Sequence, residues 1–197
     1  MKKFITFEGI DGSGKTTILR LVAKQLRDRG LDVIETAEPT KSWFGEKVRK
    51  CIREEQDPFI TTFAFIADRL SHGVEIREWL GKGKIVLCDR YMDSTFAYQG
   101  VQLQIYMGDP IKWLKDLTYK YIPIPDRTFL FVIEPEEALE RIRDRENLIS
   151  FEEVPFLTKV QENYRKLERE DVGRFLVIDA KKKIEDIVDI CVRDIIS

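Results

Sequence analysis

Five short runs dominated by Val, Ile, Leu and Phe recur at residues 3–8, 32–36, 84–89, 128–133 and 174–178, with longer stretches of helical spacing between them. The runs are nearly continuous in apolar residues rather than alternating with polar ones, which is the pattern of strands covered on both faces. Buried strands joined through helices make parallel crossovers. The expectation is an α/β chain in three layers, with a five-stranded parallel sheet flanked by helices. The intervening stretches predict helices at about 14–29, 44–55, 58–80, 109–121, 135–145, 152–170 and 183–196. Gly30 is suited to the left-handed turn after the first of them, and Pro110 and Pro135 to first helical positions. The weakest patterns lie at 91–108 and 146–150, and both read as loops.

The chain has 197 residues, a length expected to form one domain. With 33 basic and 35 acidic side chains the net charge is −2, so there is no global attraction for nucleic acid or anionic lipid, and neither is expected as a partner. Any anion site must be built locally. Cys51, Cys88 and Cys191 are scattered, and His72 is the one histidine, which leaves no disulfide framework or zinc site to expect. The cysteines read as small buried apolar residues in a reducing compartment. No run reaches the ~20 apolar residues needed to span a bilayer, and a cytoplasmic location is expected.

Directly after the first run comes Gly9-Ile10-Asp11-Gly12-Ser13-Gly14-Lys15-Thr16-Thr17, a match to GxxxxGK[ST] that opens into the first helical stretch. Glycines let successive backbone N–H groups turn inward around phosphate oxygens, and the helix N-terminus adds partial positive charge. Lys15 can reach the β- and γ-phosphates, and the Thr16 hydroxyl can ligate Mg²⁺. This spacing points to a nucleoside triphosphate bound across residues 9–17. The third run ends in Asp89, where a carboxylate can sit beside the cradle and hold Mg²⁺ directly or through water. Without the cradle, Asp89 would read as a turn or helix cap.

More specific residues surround that aspartate. They are Asp89-Arg90-Tyr91, then Asp93-Ser94-Thr95-Phe96-Ala97-Tyr98-Gln99-Gly100, preceded by Phe65-Ile66-Ala67-Asp68-Arg69. Together with Phe7-Glu8-Gly9 and the cradle, they make the chain resemble the thymidylate kinases from the first strand to Val177-Ile178-Asp179-Ala180. The resemblance implies a P-loop kinase fold, transfer of the γ-phosphoryl group of ATP to dTMP with Mg²⁺, and a homodimer. It further implies that Arg90 binds the dTMP phosphate, that Phe65 stacks on thymine, and that Arg69 meets a base carbonyl. Stacking tolerates every base, so Arg69 with Ser94, Thr95 and Gln99 must discriminate. Tyr98 is similar to the aromatic residue that crowds the sugar 2′ position, and Asp11 to the acid facing the 3′-hydroxyl. The plainer alternatives are core aromatics for Phe65 and Tyr98, and a surface ion pair with Asp68 or Glu75 for Arg69.

Two departures matter. Some relatives carry an arginine in the cradle where this chain has Gly12, so the charge must come from elsewhere; the resemblance to members with a small residue there implies a lid, at about 141–153 in this chain, with Arg141 and Arg145 on one helical face. The competing reading of Arg141 is a solvated pair with Glu137, four residues earlier. Many relatives also carry an arginine before the Glu38-Pro39 pair, where this chain has Ala37. Glu38 is still expected near the acceptor and magnesium, with Lys41 or Arg49 as compensating charges. Two other functions compete with dTMP phosphorylation: a deoxynucleoside kinase, which needs a carboxylate base for a neutral hydroxyl, and a non-catalytic nucleotide switch. The absence of a guanine-reading NKxD pattern weighs against the switch.

Overall fold

The computed structural model describes residues 2–143 and 153–197. The chain runs β1 (Lys3–Glu8), α1 (Lys15–Asp28), β2 (Val33–Ala37), α2 (Trp43–Arg53), α3 (Pro58–Gly81), β3 (Ile85–Asp89), α4 (Met92–Leu103), α5 (Pro110–Thr118), β4 (Arg127–Val132), α6 (Pro135–Ile142), α7 (Val154–Glu170), β5 (Phe175–Asp179) and α8 (Ile184–Ile196). All strand pairs are parallel, in the order β2-β3-β1-β4-β5. The expected α/β sandwich is present. The central strands β1, β3 and β4 are buried along most of their length, whereas the edge strands β2 and β5 alternate toward solvent.

Helices flank the sheet in two groups, α1 with α8 and α3 with α4, the latter extended by α5 and α7. The first group is a plain amphipathic case, since Ile18, Leu19, Val22, Ala23 and Leu26 make one buried face of α1. Asp57 and Asp109 cap α3 and α5 by accepting from the Phe59 and Lys112 amides, each just ahead of a proline at the first helical position.

Helix α4 corrects the expected loop at 91–108. Its buried residues, Met92 to Ala97 together with Gln99, Gly100 and Leu103, surround the axis, so its sequence carries no one-sided apolar period to detect. An ion pair anchors it to the sheet edge: Arg174 donates to both Asp93 oxygens, at 2.6 and 3.1 Å, and to the Thr128 hydroxyl at 2.7 Å. A smaller correction concerns Cys51, which is half-buried at a cavity wall, whereas Cys88 and Cys191 are buried as expected.

Because β1 sits between β3 and β4, the chain turns to opposite sides of the sheet at the C-terminal end of β1. Crevices at such reversals are where open α/β sheets bind ligands. The register of β1 with β3 sets Phe7 opposite Asp89, which brings the start of the glycine-rich loop beside the end of β3.

Candidate active site

Residues 9–14 bridge β1 and α1, and Gly9, Gly12 and Gly14 all take positive φ, at 143°, 81° and 85°. Gly12 is also sterically required, because a Cβ there would lie 2.1 Å from the Ala138 carbonyl oxygen of α6. That contact gives a physical account of the missing cradle arginine, since α6 occupies the space its side chain would leave through. Lys15 is buried, donates to the Ile10 carbonyl at 3.2 Å and lies 4.0 Å from Asp11. Burial, aided by the nearby Arg90 charge, lowers its pKa. The Ser13 hydroxyl is buried in the same loop without a hydrogen-bond partner.

The two expected magnesium ligands are adjacent. The Thr16 hydroxyl donates to Asp89 Oδ2, while Asp89 Oδ1 is buried and unpartnered. A hydroxyl and a carboxylate with one orphaned oxygen, beside a phosphate-shaped loop, suit a hard cation that draws its remaining ligands from phosphate and water. The described residues contain no cluster of three or more His, Cys, Asp or Glu side chains that could hold a metal on its own.

Arg90 follows at φ 63°, an unusual conformation for a residue with a side chain, fixed by its N–H bonding to the Phe7 carbonyl at 3.0 Å. Its guanidinium pairs with Asp11 at 2.9 Å, donates to Ser94 at 3.1 Å and to the Tyr98 hydroxyl at 3.3 Å, and lies over the Tyr98 ring. Burial opposes ionisation of Asp11, but Arg90 and Lys15 outweigh it and hold the carboxyl well below the ordinary range. Against its own burial, Arg90 is kept firmly charged chiefly by Asp11.

Beside Arg90 opens a cavity of about 260 Å³. The structure brings Asp11, Glu38, Phe65, Arg69, Arg90, Ser94, Thr95, Tyr98 and Gln99 around this one space, from five separate segments of chain. Arg69 is fully buried and paired with Glu38 at 2.7 Å, which removes the surface-pair alternative. Asp68 instead holds the loop before α2, accepting from the Thr40 amide and from the hydroxyls of Thr40 and Ser42. Arg49 is spent on the carbonyls of Pro39 and Thr40 and does not line the cavity.

Arg141 donates to Glu137 at 2.8 Å and to the Ala180 carbonyl at 3.2 Å, so here it adopts the pairing its spacing also allowed, outside the cavity. The helix that carries it ends at Ile142, and Arg145 lies outside the described residues, as does most of the expected lid at 141–153.

Two residues at the site were given no role by the sequence. Phe156, from α7, lines the cavity with its ring 6.1 Å from that of Tyr98. Glu8 is buried behind Arg90 and accepts from the Tyr91 amide at 2.7 Å, from the Ser94 hydroxyl at 2.5 Å and from the Tyr164 hydroxyl at 3.1 Å. Burial, reinforced by Asp93, pushes its pKa up to about 7. The available signal was a carboxylate closing an otherwise apolar strand.

The geometry agrees with what the chain is similar to. A family model described as thymidylate kinase matches residues 7–190. The chain is 41% identical over 187 residues to a probable thymidylate kinase of Methanosarcina mazei, covering 94% of this chain and 91% of that protein. A probable thymidylate kinase of Methanosarcina barkeri is 40% identical over 197 residues, with 99% and 96% covered. One of Sulfurisphaera tokodaii is 39% identical over 197 residues, with 100% and 97% covered. A family model matched across nearly the whole chain, and relatives this similar along their full length, mean that the chain belongs to the thymidylate kinase family.

Proposed function

We propose that this protein is an ATP:dTMP phosphotransferase, taking the triphosphate in the loop of residues 9–17 and the monophosphate in the cavity beside it. The observation that carries this reading is the placement of Arg90, whose guanidinium touches Asp11 of the loop and Ser94 and Tyr98 of the cavity wall together. A cation there can hold the acceptor phosphate at the border between the two nucleotides, where one of its oxygens faces the transferred group. Lys15 and the loop amides would hold the donor phosphates, and Thr16 with Asp89 would hold Mg²⁺. When bound, Mg²⁺ neutralises charge on the triphosphate. Phe65 supplies the stacking face, Arg69, Ser94, Thr95 and Gln99 the polar contacts, and Tyr98 the wall beside the sugar.

The electrostatics favour a phosphorylated acceptor over a nucleoside. A neutral hydroxyl needs a base that titrates near the working pH. The two cavity carboxylates nearest the arginines are committed instead, Asp11 to Arg90 and Glu38 to Arg69 and His72, and Asp11 is held well below the usual range. A phosphate monoester, with its second pKa about 6, is already a dianion near neutrality.

The remaining parts of the reading are a single kinase domain over 1–197 with a lid at about 141–153 that brings Arg141 and Arg145 to the donor, a cytoplasmic setting, and a homodimer. No described helix is long and apolar enough to cross a membrane. Support for the dimer comes from α3, where Ile60, Phe63, Leu70 and Val74 form an exposed apolar stripe at helical spacing. Light scattering should report twice the chain mass, and Leu70→Glu with Val74→Glu should reduce it to one.

The decisive assay is a panel of nucleoside monophosphates, with thymidine beside them, incubated with ATP and Mg²⁺ and read by product identity. The expected product is dTDP. Phosphorylation of thymidine without turnover of dTMP would replace this reading with the nucleoside kinase, and slow ATP hydrolysis alone would replace it with the switch.

A further inference from the structure

Phe156 sits in the first turn of α7 and enters the cavity wall beside Tyr98, with the two ring centroids 6.1 Å apart and the planes inclined at 59°. Later turns of α7 hold it in place: Asn163 donates to the Ala97 carbonyl at 3.0 Å, and the Tyr164 hydroxyl lies 2.9 Å from Ser94 Oγ. The two helices meet closely there, since a Cβ on Gly100 of α4 would lie 3.2 Å from Asn163 Nδ2. Leu157, Val160 and Leu167 seat the same helix on the core. Phe156 itself is half-buried, so its ring stands between the cavity beside Tyr98 and solvent.

Tyr98 is fixed from the other side. Its hydroxyl meets Asp11 Oδ2 and Arg90 Nη2, each at 3.3 Å, and the Arg90 guanidinium lies 5.0 Å from its ring centroid. A phenol has one proton to give, and here it goes to Asp11 while the oxygen accepts from Arg90. The corner between the two rings therefore offers aromatic carbon and no uncommitted side-chain donor or acceptor from either residue.

Position along α4 says which part of the acceptor meets that corner. The cavity-lining residues Ser94, Tyr98 and Gln102 follow one another at steps of about 6 Å, one turn each. Ser94 is bonded to Arg90 at the phosphate end and Gln102 is farthest from it, which leaves Tyr98 level with the sugar. Asp11, assigned to the 3′-hydroxyl, is bonded to Tyr98, so the aromatic corner lies beside the neighbouring 2′ carbon.

We propose that Phe156 is a specificity-determining residue for the sugar: with Tyr98 it forms a dry aromatic corner that accepts a bare 2′ carbon and turns away a 2′-hydroxyl. The proposal rests on the phosphotransfer reading above. A ribose hydroxyl placed in the corner loses its water and gains no partner. Tyr98 alone would not impose that loss, because without the Phe156 ring a hydroxyl beside Tyr98 stays in contact with solvent.

The test compares dTMP with 5-methyluridine 5′-monophosphate, which has the same base and adds only the 2′-hydroxyl, in the wild type, Phe156→Ala and Phe156→Leu. Wild-type turnover of dTMP is measured first, and its absence rejects the phosphotransfer reading rather than this one. The wild type should prefer dTMP by about a hundredfold in kcat/KM. In Phe156→Ala that ratio should fall by about tenfold, through a loss of about threefold on dTMP and an absolute gain of about threefold on the ribonucleotide. The gain is the deciding readout, because damage to the fold lowers turnover of both. Phe156→Leu, which keeps bulk but not a flat ring, should move the ratio the same way by less, and it answers the question if Phe156→Ala does not fold. The dTMP:dUMP ratio, which reads the base, should stay within about twofold. A wild type that takes both sugars equally, no gain on the ribonucleotide in the folded variants, or an equal fall in the dTMP:dUMP ratio overturns the proposal.

Discussion

The loop of residues 9–17 and the cavity beside it share Arg90 and Asp11 but are built in opposite ways. The loop is a contiguous stretch whose shape comes from the backbone, with three glycines at positive φ and one of them, Gly12, packed so close to α6 that a Cβ would clash with the Ala138 carbonyl. The cavity is assembled from side chains on the segment after β2, α2, α3, the end of β3, α4 and α7, and its polar groups are held by buried ion pairs rather than by backbone conformation. A backbone device is stiff and tolerant of side-chain loss. A buried charge network fails when any member leaves, because its partners stay behind unpaired in a medium that solvates them poorly.

That contrast can be broken experimentally. The largest effect should come from Lys15→Ala and Arg90→Ala, each lowering kcat on the order of a thousandfold, while only Arg90→Ala also weakens dTMP. Steady-state kinetics with each substrate varied separates the two, and a Lys15→Ala enzyme with normal turnover would contradict the cradle role. Glu38→Ala should instead act on stability, by on the order of 3 kcal/mol in denaturant unfolding, because it strands Arg69 and His72. Should Lys15→Ala prove as destabilising as Glu38→Ala, the two regions would not differ in kind.

A pH series sharpens the comparison at the seam. Glu8 is pushed up to about 7 from an ordinary 4.5, mainly by burial, so between those values the native state keeps a proton that the unfolded chain has released. Stability should therefore fall as pH rises from about 4.5 to about 7, with a slope contribution of at most about 1.4 kcal/mol per pH unit. Glu8→Gln should flatten that part of the curve in urea unfolding at several pH values, and an unaltered slope would assign the titration elsewhere. The smallest effect expected is from Arg141→Ala, on the order of a tenfold loss in kcat with little change in ATP affinity, since its contacts here are Glu137 and the Ala180 carbonyl.

Helices α1 and α4 show why parts of the molecule were legible and parts were not. In α1 one face is apolar and the other charged, and the glycine-rich loop ahead of it announces itself by spacing. In α4 nearly every position is buried, some against core and some against the cavity, so the pattern that identifies a surface helix is erased by its own packing. Of the cavity, Phe65, Arg69 and Tyr98 were reached by resemblance. Phe156 and His72 were not, because an aromatic residue on a helix after a lid and a lone histidine on a long helix carry no local mark of what they face.

Local order along the chain determined the strands, most helices and the phosphate-shaped loop, because each depends on residues near one another or on a regular period, whereas the oxygen pair at Thr16 and Asp89 is brought together by the pairing of β1 with β3. The tertiary structure decided that Glu38 pairs with Arg69 and His72 rather than with solvent, that α6 fills the space beside Gly12, and that α4 is a helix. These outcomes depend on which distant groups share a dry volume, and burial makes partners of side chains whose separation in sequence says nothing about their distance in space.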